Sequence, residues 1–274
     1  MNNQSKLEQL NLKLGRQTQD TQLDSVPRDI GRNEITKHSF RHGYDLWNAW
    51  EAGYLSSTGI PVSFILQIAY ACTTPSIVES KSLKLYLNHL NDMVFQSQGA
   101  YLTKVKSDLE HCIGGAIELS ITAAGCFHSP ISLSGLCLEE HLMEQQIQVD
   151  AWNKPEAGQI KLLDFKKELS YYSHVFRSNC PVTGQPDWGS IQIQMTNAKK
   201  PDTADLLSYL KAFRHINEFH ETCCERIYTD LYSHCQAADI TVSCFFTRRG
   251  GCDINPARSS SVCSINWGQV HWRQ

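Results

Sequence analysis

The run PVSFILQIAYAC, residues 61–72, and the run TTPSIVESKSLKLYLNHL that follows it, residues 73–90, decide the fold. In the first, Val62, Phe64, Leu66, Ile68 and Tyr70 alternate with Ser63, Ile65, Gln67 and Ala69. Period two marks a strand with one face buried. Thr73-Thr74-Pro75-Ser76 interrupts it. Beyond the break the period changes: Leu83, Leu87, Leu90 and Val94 are spaced by four, three and four. That predicts a helix beginning near Ser80 or Lys81 and capped by Ser80 or Ser82. Glu79, Ser80 and Lys81 then sit at a helix N-terminus, where free N–H groups and the dipole favour anions. A second helix is expected over 98–112, with Leu102, Val105, Leu109 and Cys112 on one face. Alternation over 116–123 predicts a returning strand, so the unit is β–α–α–β.

The second half repeats this layout. Residues 190–195 alternate as a strand. Pro201-Asp202-Thr203 opens a helical stretch with Asp202 or Thr203 as cap and Leu206, Leu210 and Phe213 on its apolar face. Near Phe219-His220-Glu221 the phase shifts, and Cys223, Ile227 and Leu231 continue it as a second helix. Residues 240–246 read as a strand closed by Thr247-Arg248-Arg249-Gly250-Gly251. Two copies of one layout with little identity point to duplication in an α+β chain. Between them, 145–152 is expected as a strand, 153–158 as a turn and 159–172 as further strand content. Residues 1–40 are polar and aperiodic, an arm expected to pack on the body or to stay mobile. Residues 43–51, with Tyr44, Trp47 and Trp50, form a buried anchor.

The chain has 274 residues, 41% hydrophobic and 19% charged, enough to bury a large core without staples. A formal net charge of -3 carries no nucleic-acid or membrane signature. No run approaches the ~18 apolar residues of a membrane span. Eleven cysteines, an odd count at irregular spacing, make a poor disulfide framework and point to free thiols in a reducing, cytoplasmic setting. His111-Cys112, Cys223-Cys224 and His234-Cys235 are adjacent pairs, whereas structural zinc sites space their ligands by two to four residues. No metal is expected. No Rossmann glycine motif and no P-loop follows a strand, so a nucleotide would be bound by other means.

The chemistry concentrates in Ser178-Asn179-Cys180-Pro181-Val182-Thr183-Gly184-Gln185-Pro186-Asp187-Trp188. Two prolines and a glycine make it a rigid loop rather than a strand or helix. Such a loop can hold a thiol and a carboxylate in one small volume, and the carboxylate can take the thiol's proton and later return one. On these residues alone, a proline-rich turn with an inert buried cysteine is the commoner arrangement, since catalytic cysteines are a minority.

Three motifs in order carry a resemblance. Glu79-Ser80-Lys81-Ser82-Leu83-Lys84-Leu85-Tyr86 resembles the signature of the QueF family, the NADPH-dependent 7-cyano-7-deazaguanine reductases. The 178–188 run is similar to that family's catalytic loop, and Phe219-His220-Glu221 to its third motif. Weaker similarity lies over 43–51, 248–251, 256–258 and near Trp267, so the resemblance covers most of the chain from about residue 30. With the Glu79 signature preceding Cys180, the chain looks like the long, bimodular form. The resemblance implies two tandem tunnelling-fold units of β-β-α-α-β-β type, antiparallel sheets with helices outside. After an arm over 1–40, the units would span 41–135 and 136–274.

The resemblance also implies roles. Cys180 adds to the substrate nitrile and forms a covalent thioimide. Asp187 protonates the nitrile nitrogen, an acid role for which a dry pocket and a raised pKa are expected. Val78, Glu79, Ser80, His220 and Glu221 line the base pocket, Glu221 accepting from the deazaguanine N–H groups. Ser80, Lys81, Arg249 and Gly250 contact NADPH. The product is the aminomethyl base, a precursor of queuosine in tRNA. The substrate is a small molecule rather than nucleic acid or membrane, and a homodimer or larger homo-oligomer is expected. Rival readings are a cysteine nitrile or amide hydrolase using His220 as base, a non-catalytic purine- or pterin-binding relative, and a redox sensor built on Cys180.

Overall fold

A computed structural model describes residues 22–35, 40–123, 130–268 and 270–274. Of the arm expected over 1–40, residues 1–21 and 36–39 lie outside the described residues. The rest packs on the body through β1 (Ser25–Pro27) and the single-turn helix α1 (Asp29–Arg32), which bury Val26 and Ile30. In the first half follow β2 (His42–Leu55), β3 (Pro61–Ala71), β4 (Ser76–Val78), α2 (Ser80–Leu90), α3 (Gln98–Ile113) and β5 (Ile117–Thr122). A short β6 (Leu136–Cys137) and α4 (Leu138–Glu144) link the halves. In the second half β7 (Leu162–Asn179), β8 (Pro186–Pro201), α5 (Thr203–Ala212), α6 (His220–His234), β9 (Asp239–Phe246) and β10 (Cys252–Ser259) complete the chain.

Eight strands form one sheet in the order β5-β3-β2-β10-β9-β8-β7-β6. Every pairing is antiparallel except β6 with β7. The halves meet where β10 runs against β2, from Cys252↔Ala49 to Ser259↔His42. On β2, Trp47 and Ala49 join the large core shared with the helices. Tyr44 and Leu46, pointing the other way, pack under Cys263, Ile265 and Trp267 of the tail.

The strand at 61–72, both first-half helices and the returning strand lie where the periodicity put them. Several expectations need correction. The cap of α2 is neither Ser80 nor Ser82 but Glu79, whose carboxylate accepts from the N–H groups of Lys81 and Ser82. Helix α2 ends at Leu90, and Val94 lies exposed beyond it, bridged to Leu55. The fully buried face of α3 is Tyr101, Val105, Leu109 and Ile113, with Leu102 and Cys112 at its margin. Residues 145–152 form no strand: the alternating Ile147, Val149 and Ala151 have no neighbouring ladder and stay largely outside the core. Each half has more strands than its periodicity alone predicted, because 43–51 belongs to β2 and 252–259 is β10.

Candidate active site

The 178–188 run is the end of a hairpin. Ser178 pairs with Asp187 and Asn179 with Pro186, so only Cys180–Gln185 is loop, and the expectation of a loop throughout fails at both ends. Pro186 begins its strand, a position that proline tolerates. The tip is closed by Cys180 N–H donating to the Gln185 carbonyl at 2.8 Å and Gly184 N–H to the Cys180 carbonyl at 2.9 Å. Gly184 has φ +68, a left-handed conformation that side chains resist. The ladder therefore holds the half-buried Cys180 thiol and the buried Asp187 carboxylate on one end of β7–β8.

Asn179 ties this hairpin to the start of α6. Its N–H donates to the Ile216 carbonyl, its carbonyl accepts from Glu218 N–H, and its side-chain amide donates to the Arg214 carbonyl. His220 and Glu221, the first two residues of α6, are thereby set beside the thiol loop. The His220 ring packs edge-on against Phe246 at 4.2 Å, and its Nε2 lies 3.4 Å from Asp187 Oδ1. From the β9–β10 turn, Arg249 Nη1 reaches the same oxygen at 3.0 Å, and Arg249 Nη2 donates to the Pro186 carbonyl. The first half supplies Val78 at the end of β4 and Glu79, Ser80 and Lys81 at the start of α2.

All ten residues singled out in the sequence line two adjoining cavities. The larger, about 430 Å3, is bounded by Glu79, Ser80, Lys81, Cys180, Asp187, His220, Arg249 and Gly250. The smaller adds Val78 and Glu221. Sequence reasoning missed Trp47, Lys84 and Asp253, which also line the larger one. Only Lys84 left a signal, three residues after Lys81 and so on the same helix face.

The electrostatics overturn one expectation. Burial does push the Asp187 pKa up, but His220, Arg249 and Lys84 outweigh it and hold the carboxyl below its ordinary value. Glu221 goes the other way. Burial and the nearby Asp45 charge raise it to about 8, against the pull of Arg28 and Arg258. Asp253 is raised by burial to about 6, although Trp50, Asn48 and Asn255 all donate to it. Burial lowers the pKa of Lys84. A phosphate-rich cofactor fits this wall. Lys81, Lys84 and Arg249 line the cavity, and Gly250, at φ +56, brings backbone close: a Cβ there would lie 3.0 Å from Lys84 Cδ. The helix N-terminus contributes less than expected, since Glu79 already occupies two of its N–H groups. Among the described residues no group of three His, Cys, Asp or Glu side chains could hold a metal.

Comparison with known proteins gives the chain's family. Residues 15–121 match the family described as "Nitrile reductase, 7-cyano-7-deazaguanine-reductase N-term", and residues 186–263 match "QueF-like protein". A relative from Legionella pneumophila (strain Lens), called NADPH-dependent 7-cyano-7-deazaguanine reductase, is 38% identical over 247 residues, covering 88% of this chain and 85% of that protein. One of the same name from Psychrobacter cryohalolentis is 35% identical over 270 residues, covering 92% and 95%. At that identity over nearly its whole length, the chain belongs to the family of NADPH-dependent 7-cyano-7-deazaguanine reductases.

Proposed function

We propose that this protein reduces the nitrile of 7-cyano-7-deazaguanine to the aminomethyl group with NADPH, as a step of queuosine biosynthesis, through a thioimide on Cys180. The observation that carries the proposal is the meeting of thiol and ionised carboxylate on one cavity, with two buried carboxylates beside them. A nitrile is a poor hydride acceptor. Adding a thiol across it makes a protonatable C=N that accepts far better. Asp187 is in its base form at neutral pH and takes the Cys180 proton, since the thiolate is the nucleophile. The sulfur bonds to the nitrile carbon, one π pair moves to nitrogen, and Asp187 returns the proton to that nitrogen. His220 and Arg249 steady Asp187 in both states.

Val78, Glu79, Ser80, His220 and Glu221 hold the deazaguanine, with Glu221 accepting from its N–H groups. A buried acceptor left unpaired is costly, so these contacts select a guanine-like edge. Ser80, Lys81, Lys84, Arg249 and Gly250 hold the cofactor phosphates. When bound, NADPH supplies hydride, and nitrile-to-amine reduction takes two. We further read the two halves, 41–135 and 136–274, as tandem tunnelling-fold units. The second half runs β7–β8–α5–α6–β9–β10 and supports this reading. The sheet ends at β5 and at the two-residue β6, and a homodimer would cover such edges. No described helix is long and apolar enough to cross a membrane. The ten described cysteines are free, which suits a reducing cytoplasm.

The test is stoichiometry. Purified protein with nitrile and excess NADPH should consume two NADPH per nitrile and release no ammonia. Ammonia release without NADPH consumption would make it a hydrolase instead.

A further inference from the structure

Where the arm meets Glu221, two complementary atoms lack a hydrogen-bond partner among the described residues. Glu221 is 3% exposed, and its Oε1 has no hydrogen-bond partner among the described residues. Arg28, in the arm between β1 and α1, is 6% exposed. Its Nε donates to the Thr74 carbonyl at 3.0 Å, and its Nη2 to Asp45 Oδ2 at 2.5 Å. Its Nη1 has no hydrogen-bond partner among the described residues; its ion pair with Glu225 Oε1, at 3.8 Å, is beyond hydrogen-bond reach. Arg28 and Glu221 line one small cavity of about 10 Å3, closed by Val26, Ile77 and Thr222. That is room for a single water, in a place that offers it a donor and an acceptor. The arm is pressed directly on α6 here, since a Cβ on Gly31 would lie 2.2 Å from Thr222 Oγ1.

We propose that Arg28 is a positioning residue for substrate recognition: one water in this cavity bridges Arg28 Nη1 to Glu221 Oε1 and fixes the carboxylate that receives the deazaguanine edge. The proposal rests on the reading of Glu221 as the substrate's acceptor. It assigns a task in the site to the described part of the arm, whose residues line neither cavity that holds Cys180 and Asp187. The charged and titratable groups around Glu221 are Arg28 on the arm, Asp45 on β2, Tyr70 on β3, Glu79 before α2, Cys180 and Asp187 on the hairpin, Glu218 before α6, His220 and Glu225 on α6 and Arg258 on β10. Among them, Arg28 and Arg258 favour the ionised carboxylate. Losing Arg28 therefore moves Glu221 further up and leaves less of the accepting form at neutral pH.

The experiment is calorimetric titration of 7-cyano-7-deazaguanine into the full chain carrying Cys180→Ala, across neutral to alkaline pH. Parental affinity should strengthen as pH rises through about 8, where Glu221 ionises. Arg28→Met should shift that midpoint up by about one pH unit, roughly tenfold weaker binding at neutral pH, while Arg28→Lys keeps most of the affinity. Val26→Ile fills the cavity without touching a charge. It should weaken binding in the same direction, and it carries the test alone should Arg28→Met not fold. Weaker binding by Arg28→Met with an unmoved midpoint would reduce Arg28 to packing and overturn the proposal. Parental behaviour of Val26→Ile would overturn the bridging water. Glu221→Ala is the control: parental binding there would remove the reading on which the proposal rests, and the proposal with it.

Discussion

At the scale of single residues, Asp187 is the group whose environment decides the chemistry. Its carboxyl is buried, yet two cations and His220 keep it ionised. On the proposed mechanism the resting enzyme therefore offers a base to the Cys180 thiol, and the acid forms only when the proton has been passed. A depressed pKa means that the base form is lost only well on the acid side. Removing a cation moves that loss upward in pH. Arg249→Ala should therefore shift the acid limb of thioimide formation to higher pH, measured by quenching the reaction at intervals and weighing the protein. An unmoved limb would mean that Arg249 does not hold Asp187. Dryness alone predicted a raised pKa for this aspartate. A sequence does not show that Arg249, 62 residues away, folds back onto the same oxygen. Cys180 and Asp187 were legible because they share one hairpin. Lys84, Trp47 and Asp253 were less so, because their place at the cavity depends on how α2 and the β2–β10 junction meet the hairpin.

Among the elements, α2 shows how a local rule serves the site. Glu79 caps the helix with both carboxylate oxygens, at 3.0 Å to Lys81 N and 2.7 Å to Ser82 N. The cap orients a side chain that also lines both cavities. Glu79→Ala should cost about 1 kcal/mol of stability, or about 2–4 °C in Tm for a chain of this size. It should weaken nitrile binding besides. A melting curve and a titration on the same variant separate the two effects, and full affinity with a lowered Tm would leave Glu79 a cap only. Strand legibility follows burial. In β3, Ser63 and Ile65 are less buried than Phe64 and Leu66, so the alternation survives. In β2 six consecutive residues, Tyr44 to Ala49, are buried, and in β10 all eight are, so no alternation was left to read. Pro256 inside β10 is also a residue that sequence patterns place outside strand interiors. The run at 145–152 failed for the opposite reason, having alternation without a partner strand.

For the whole molecule, the junction of the halves is held by buried charge rather than by apolar packing alone. Arg258 on β10 is fully buried and pairs with Asp45 on β2 at 2.8 Å and Glu225 on α6 at 2.8 Å. The arm adds Arg28 to Asp45 and Arg32 to Glu225. Removing one partner strands the others in a dry interior. Arg258→Ala should cost about 3–5 kcal/mol in denaturant unfolding. Lys104→Ala, breaking an exposed pair with Asp108, should cost under about 0.5 kcal/mol. Comparable losses would mean that the junction is not held this way. The same junction brings Glu79 from one half to Cys180 from the other, on one cavity. The central claim is the covalent step, and one measurement meets it directly. Full-length protein is mixed with 7-cyano-7-deazaguanine, NADPH is withheld, and the intact mass is recorded. The account predicts a gain equal to one nitrile, absent in Cys180→Ala and discharged to the amine when NADPH is added. An unchanged mass, with no NADPH consumed when all three are combined, would contradict it.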